Sequence, residues 1–350
     1  MSIDLIRELT QMGGPSGYEG DVGAFIREKL AGIGELSTDK IGNIVCKIEG
    51  SDPKAPHLLL AAHQDEVAFM VSEITDQGFL RFIGLGGWNP LTLPSSPVEV
   101  ISESGERHYG VIGQLPPHFA PQGETPKIPT IDELFIDIGA RSREEVKEFY
   151  QVRVGSLILP YAPFVYNPKG EVIFSKAFDD RIGVAALIEL AQLVKEKSVA
   201  ATLSFAFTVQ EEVGVRGAKV LAQSIEADAA IVVEGAPADD VPSNISAPQT
   251  ALGKGVHLRI YDPSHIGHPG LLKLARSSAR REQIEVQEAV RKGGGTDARE
   301  IALAKGGIPT IVCGVGVRYA HSHNSLISLC DYRNLVKLLF AISQDMTNLE

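Results

Sequence analysis

The stretch "VIFSKAFDDRIGVAALIELAQLVKE" (residues 172–196), followed by "ATLSFAFTVQ" (201–210), contains both of the repeating elements of this chain. A short β-type run passes into a long helical pattern, and an almost unbroken apolar run follows. Apolar runs of that kind belong to strands buried on both faces, in a sheet covered by helices. Downstream, "GAKVLAQSI" (217–225) reads as a helix and "AAIVVEG" (229–235) as another strand. Upstream, residues 1 to about 70 alternate in the same way. "MSIDLIRELTQMGG" spaces Ile3, Leu5, Ile6 and Leu9 as an amphipathic helix behind Ser2, "GGPSGYEG" reads as a turn, a helix follows near 20–32, and "IGNIVCKI" and "HLLLAAH" read as strands. Between 71 and 165 the texture changes to short β runs, "GFLRFIGL", "PVEVIS" and "YGVIGQL", with the loop-like "PPHFAPQGETPKIPT" among them. The expected fold is therefore a doubly wound α/β domain of residues 1–70 and 166–350, interrupted by a small β domain at 71–165.

With 350 residues, 44% of them hydrophobic, the chain can bury one large core or two. Its formal net charge of −11 and the lack of a Lys/Arg stripe interleaved with aromatics argue against a nucleic-acid partner. No run approaches the ~18 apolar residues of a membrane helix, and the start lacks the basic and apolar segments of a signal peptide. The three cysteines, Cys46, Cys313 and Cys330, are scattered and odd in number, so buried thiols in a cytoplasmic protein are expected rather than a disulfide framework.

In open α/β sheets, ligands collect beyond the carboxyl ends of the strands. Four apolar runs here end in acids or histidines: "LLLAAHQDE" in His63 and Asp65, "TLSFAFTVQEE" in Glu211 and Glu212, "AAIVVEG" in Glu234, and "TIVCGVGVRYAHSH" in His321 and His323. "FDDR" adds Asp179 and Asp180 at the start of a helix. Singly, such residues are ordinary solvated groups; five such ends in one domain point to a site. Imidazoles and carboxylates without a required thiolate suit a metal centre. Two imidazoles and three carboxylates could hold two divalent ions about 3.5–4 Å apart, one carboxylate bridging them. One acid of the 211/212 doublet is then spare, free to take a proton while its neighbour binds metal. His63 and Asp65, two apart, share a face if the strand continues, which places Asp65 to orient the imidazole. The other reading of Asp65 is a cap on the following turn.

The motifs "AHQDEVAFM", "GGWNPLTLP", "GVIGQLPPH", "LFIDIGARSREEV", "KAFDDRIG", "TVQEEVGVRGA", "GGGTDA" and "RYAHS" follow one another over nearly the whole chain. In order and spacing they resemble the TET-type dinuclear metallo-aminopeptidases, whose relatives include glutamyl and deblocking aminopeptidases and proteins labelled endoglucanase. The resemblance implies a phosphorylase/hydrolase-like catalytic domain with a PDZ-like β insert used for dimerisation, and dimers assembling into a tetrahedral dodecamer. It implies two divalent ions per subunit, zinc or cobalt, with manganese also suited to the donor set. One ion would take His63, Asp179 and Glu234, the other Asp179, Glu212 and His321. Glu211 would be the general base, with Asp65 assisting, in hydrolysis of N-terminal residues from short peptides with a free amine by a metal-bridging hydroxide. A cis peptide between Asp179 and Asp180 is also implied.

Three positions depart from the family pattern: Glu234 where many relatives have Asp, Ala68 in place of a glycine, and Asn89 in place of an Asp. Thr296 and Asp297 either meet the substrate or simply form a turn capping the next helix. His323 reads as an outer or substrate-side residue, and His118 as a loop histidine, solvated or reaching a neighbouring subunit. An N-acyl amino acid deacylase or carboxypeptidase of the same clan, a glycosidase and a non-catalytic assembly protein are the competing readings.

Overall fold

Helices α1 (Ser2–Gln11) and α2 (Gly20–Leu30) lead into strands β1 (Glu35–Thr38), β2 (Ile44–Ile48) and β3 (His57–His63). The chain then forms β4 (Ala68–Ile74), β5 (Leu80–Leu85), β6 (Pro97–Ile101), β7 (Arg107–Gly113), β8 (Phe135–Asp137), α3 (Arg143–Glu148) and β9 (Leu157–Pro160). After β10 (Val165–Asn167) and β11 (Val172–Ser175) come α4 (Phe178–Lys197), β12 (Thr202–Thr208), α5 (Arg216–Ser224) and β13 (Ala229–Pro237). The last part holds β14 (Val256–Asp262), β15 (His265–Ile266), α6 (Pro269–Arg281), β16 (Val286–Val290), α7 (Ala298–Ile301), β17 (Thr310–Val317), β18 (Ser325–Ser328) and α8 (Leu329–Asp345). The structure is a computed structural model and describes residues 2–115, 119, 128–242 and 247–349. His118 lies outside the described residues.

Two units emerge: Met1–Glu66 with Phe164–Ala320 and Ser325–Glu350, and Val67–Pro163 with His321–Asn324. The second unit thus starts at Val67, because the "DEVAFM" segment already enters strand β4, and it also takes in the short 321–324 segment.

The first unit is built on a nine-stranded mixed sheet in the order β1-β2-β12-β3-β13-β17-β14-β15, with β16 beside β14. Its centre, β12-β3-β13-β17, is parallel, while β2 and β14 join it antiparallel. Alternation explains why these strands read as solid apolar runs. Leu58, Leu60 and Ala62 enter one core with α1, α2, α4, α6 and α8, whereas Leu59 and Ala61 enter another with Ala218 and Leu221 of α5 and Ala298 and Ile301 of α7. Helices therefore cover both faces of a mixed α/β sheet.

Register carries this alternation to the strand ends. Thr208 lies opposite His63, Val232 opposite Ala61, and Glu234 opposite Gly314, which in turn faces His257. Partners in register project to the same face, so Thr208, His63 and Glu234 form one row on the α5/α7 side, at the ends of β12 and β3 but within β13, which runs on past Glu234 to Pro237.

In the second unit β4-β5-β8-β7-β6-β9 close into a barrel, which leaves no open sheet edge. Phe69, Phe82, Val98, Val100, Ile112, Ile136 and Ile158 fill it. Among the described residues no helix is long and apolar enough to cross a membrane. Cys46 and Cys313 are buried thiols as expected, but Cys330 is exposed on α8, because its place on that helix faces away from the core.

Candidate metal centre

His63, 2% exposed, is the hub. Its Nε2 lies 3.2 Å from Asp179 Oδ1 and 4.0 Å from Glu234 Oε2, and its Nδ1 faces Asp65 Oδ1 at 3.3 Å. Two sets of donor atoms gather within 4.8 Å of one another: His63, Asp179 and Glu212 in one, His63, Asp180 and Glu234 in the other. Four of the expected ligands, His63, Asp179, Glu212 and Glu234, are thus brought together. Asp180, fully buried, has both oxygens engaged by backbone amides, Oδ2 accepting from His63 N and Oδ1 from Gly183 N, which makes it a brace between β3 and α4.

The Asp179–Asp180 peptide is cis, as the resemblance implies, and Ala177 just before it adopts a left-handed φ of 59°. The turn then lies against β13 at Gly235, where an added Cβ would sit 2.6 Å from Phe178 O and 2.9 Å from Asp179 Cα. Gly235→Ala is therefore expected to push the turn off the sheet, destabilising the protein by about 1–3 kcal/mol and weakening metal uptake; equilibrium unfolding and metal titration check this.

Asp65 does not cap a turn of its own. Its Oδ1 accepts from Glu211 N at 2.9 Å, and its Oδ2 from Glu212 N at 3.1 Å and Ser16 Oγ at 2.6 Å. One buried carboxylate therefore links the imidazole to the main chain of the acidic doublet. Gln210, with φ 56°, turns the chain at the doublet, a left-handed conformation that costs a non-glycine residue roughly 1–2 kcal/mol.

The electrostatics are those of crowded carboxylates. Burial, then repulsion from Asp297, Glu234 and Glu212, drive Glu211 well above the usual carboxylate range against the pull of His63. Burial and Asp180 do the same to Glu234. His63 titrates well above its ordinary value: burial opposes its charge, but the hydrogen bonds to Asp179 and Asp65 outweigh it. Buried acids that repel one another around an imidazole form a donor set suited to divalent cations, whose charge would relieve the repulsion. By this test the residues present fit a metal centre.

The remaining expected residues fall elsewhere. Thr296 and Asp297 are both buried; Thr296 Oγ1 accepts from Ala298 N, the first residue of α7, while Asp297, at the N-cap, accepts on Oδ2 from Thr208 Oγ1. Asp297 Oδ1 has no hydrogen-bond partner among the described residues, and burial raises this carboxyl to about 6. His321 and His323 belong to the 321–324 segment of the barrel unit, and neither cluster contains them. His321 has a left-handed φ of 57°, and an added Cβ on Gly87 would lie 3.3 Å from its Nδ1. His323 is buried beside Phe69 and Trp88, with ring centroids 6.3 and 5.4 Å away.

Ser16, Glu19, Glu66, Lys176 and Arg181 brace the site and are not evident from strand-end patterning. Lys176 donates to both oxygens of Glu66, at 2.8 and 2.5 Å. "GGPSGYEG" gives only a turn signal, and nothing local marks its side chains as partners of a distant strand end.

The profile of the M42 glutamyl aminopeptidase family matches residues 42–338. The chain belongs to this family of peptidases. Over 342 residues this M42 chain is 35% identical to the glutamyl aminopeptidase of Lactococcus lactis subsp. cremoris, covering 97% of itself and 95% of that protein. It is similar in structure to a TET aminopeptidase from the archaeon Thaumarchaeota archaeon SCGC AB-539-E09, with a TM-score of 0.94, 37% identity and 99% of each chain covered. It is also similar to the Pyrococcus horikoshii TET1 peptidase, described as assembling into a tetrahedron or a large octahedral shell, at TM-score 0.86 and 32% identity over 98% of this chain and 99% of that one. As an M42 member the protein is a peptide-hydrolysing enzyme.

Proposed function

We propose that this protein is a dinuclear metal-dependent aminopeptidase that removes N-terminal residues from short peptides. The observation that carries the reading is the convergence of Asp179, Glu212 and Glu234 on the His63 imidazole. Asp179 would be shared between the ions, with His63 and Glu234 holding one and Glu212 the other; His321 is the remaining ligand that the sequence resemblance implies. When bound, the divalent ions supply Lewis acidity to water and to the scissile carbonyl. Zinc and cobalt are the ions of choice, and manganese suits the same donors.

Glu211 is the general base. Its neighbour Glu212 binds metal, while the Asp65 contacts hold both main-chain amides and so fix where the two side chains start. A carboxyl whose affinity for protons is raised by burial is suited to take a proton from water and return it to the departing amine. Asp65 keeps the His63 ring oriented. Asp297, whose Oδ1 has no hydrogen-bond partner among the described residues, is the group offered to the substrate's free amine, and the Thr296 hydroxyl, accepting from Ala298 N, fixes the turn that carries it.

The inserted barrel is a PDZ-like module for pairing subunits, and the protein forms homo-oligomers, dimers built into a dodecamer. Exposed apolar side chains on the barrel, among them Tyr109, Phe149, Val154 and Tyr161, support this; light scattering measures the assembly.

The deciding experiment strips the protein with chelator, reloads it with zinc, cobalt or manganese, and assays aminoacyl substrates and paired free and N-acetylated peptides. Activity is expected to vanish on stripping, to return with metal, and to be confined to free amines. Equal hydrolysis of N-acetylated peptides would turn the reading toward a deacylase.

A further inference from the structure

We infer that Ser16 and Glu19, in the turn between α1 and α2, are positioning residues that set the geometry of the Glu211–Glu212 doublet. The inference rests on the roles proposed above for that doublet and for His63.

Both side chains are buried, at 7% and 6% exposure, in a turn where such groups usually meet water. Glu19 sits at the N-cap of α2 yet makes no side-chain cap bond. Its Oε1 instead accepts from Gly17 N at 2.8 Å and from Gln210 N at 3.0 Å. It therefore holds the amide of the left-handed residue immediately before the doublet, the point at which the chain's direction is decided. Ser16 donates to Asp65 Oδ2, the oxygen that also accepts from Glu212 N. Together the two side chains fix Gln210 directly, and Glu211, Glu212 and the His63 ring through Asp65.

The turn is itself anchored for this purpose. Gly14 N donates to Glu66 Oε1 at 3.2 Å, Glu66 N donates to Gly14 O at 3.1 Å, and Arg181 donates to Gly14 O at 3.2 Å. A freely hinged turn could not constrain the doublet; this one is tied at Gly14 to Glu66, just beyond β3, and to Arg181 of α4. Removing the Ser16 hydroxyl leaves Asp65 one donor short and free to tilt, which moves the doublet and the imidazole together. Groups that orient ligands from outside typically change metal affinity or activity by about 10–100-fold.

The test uses full-length Ser16→Ala, Ser16→Thr, Glu19→Ala and Glu19→Gln proteins loaded with zinc or with cobalt. Both alanine variants are expected to lose about tenfold or more in kcat with little change in KM, and their cobalt-loaded forms to show displaced visible absorption bands. Ser16→Thr keeps the hydroxyl and Glu19→Gln keeps the acceptor oxygen, so each is expected to recover most of the loss. The inference is overturned if both alanine variants keep wild-type kcat and an unshifted cobalt spectrum, or if neither conservative variant recovers anything. Should the wild-type protein cleave no peptide with any metal, the proposed function fails and the cobalt spectrum alone decides the positioning role: a shift in the alanine variants supports it, an unshifted band overturns it.

Discussion

Glu211→Gln is expected to leave a folded protein that still takes up its metals but turns over peptides about 10³-fold more slowly, since general acid–base catalysis commonly contributes about 10²–10⁴-fold. The amide has nearly the shape of the carboxylate it replaces, and the main-chain amide at 211 still donates to Asp65. What is lost is a group that can accept a proton. Because Glu212 is the proposed ligand, Glu212→Gln is expected to differ in kind, weakening metal uptake as well as turnover. Measuring kcat beside bound metal per subunit separates the two variants. Wild-type kcat in fully loaded Glu211→Gln would exclude Glu211 as the base.

The largest expected loss of stability lies at Arg181, whose fully buried guanidinium makes no proposed contact with substrate. Its Nε donates to Gln64 O at 2.7 Å, one terminal nitrogen to Leu9 O at 2.7 Å and Met12 O at 3.1 Å, and the other to Gly14 O at 3.2 Å. Glu66 lies 3.6 Å away and supplies the countercharge with Lys176 beside it. Replacing Arg181 by Leu removes a donor from four carbonyls, three of these bonds being buried, and leaves the Glu66 charge with one cationic partner, a change that costs about 3–5 kcal/mol. Arg181→Lys, with one point of charge in place of a planar fork, is expected to recover only part of this. Denaturant unfolding of metal-free protein measures both, free of the stabilisation that bound metal adds. A loss below about 1 kcal/mol in Arg181→Leu would show that water replaces the guanidinium.

The fold was legible because its signal is local. Strand β3 alternates Leu58, Leu60 and Ala62 against Leu59 and Ala61, and both sets are apolar, so a two-sided strand is written in seven consecutive residues. His63 ends β3, Glu212 follows the end of β12 and Glu234 lies in the last part of β13, so they meet near the carboxyl ends of neighbouring parallel strands; a reader of the sequence can infer that shared region without coordinates. The spacing of Asp65 from His63 likewise suggested the contact seen between them.

Ser16 and Glu19 were not legible in the same way. Their partners, Asp65 and Gln210, lie 49 and 191 positions along the chain, and a serine and a glutamate in a glycine-rich turn look alike whether they face water or a buried carboxylate. Asp180 was visible as an acid beside Asp179, yet only the structure shows the two backbone donors that tie it between β3 and α4. Periodicity and strand-end chemistry are properties of neighbouring residues, so the sequence alone determined the layered α/β core and marked His63, Glu212 and Glu234 among the groups that gather, while His321 and His323, marked by the same pattern, are in neither donor cluster. Orientation depends on hydrogen bonds between segments that meet only after folding, so only the tertiary structure decided which groups hold the others in place.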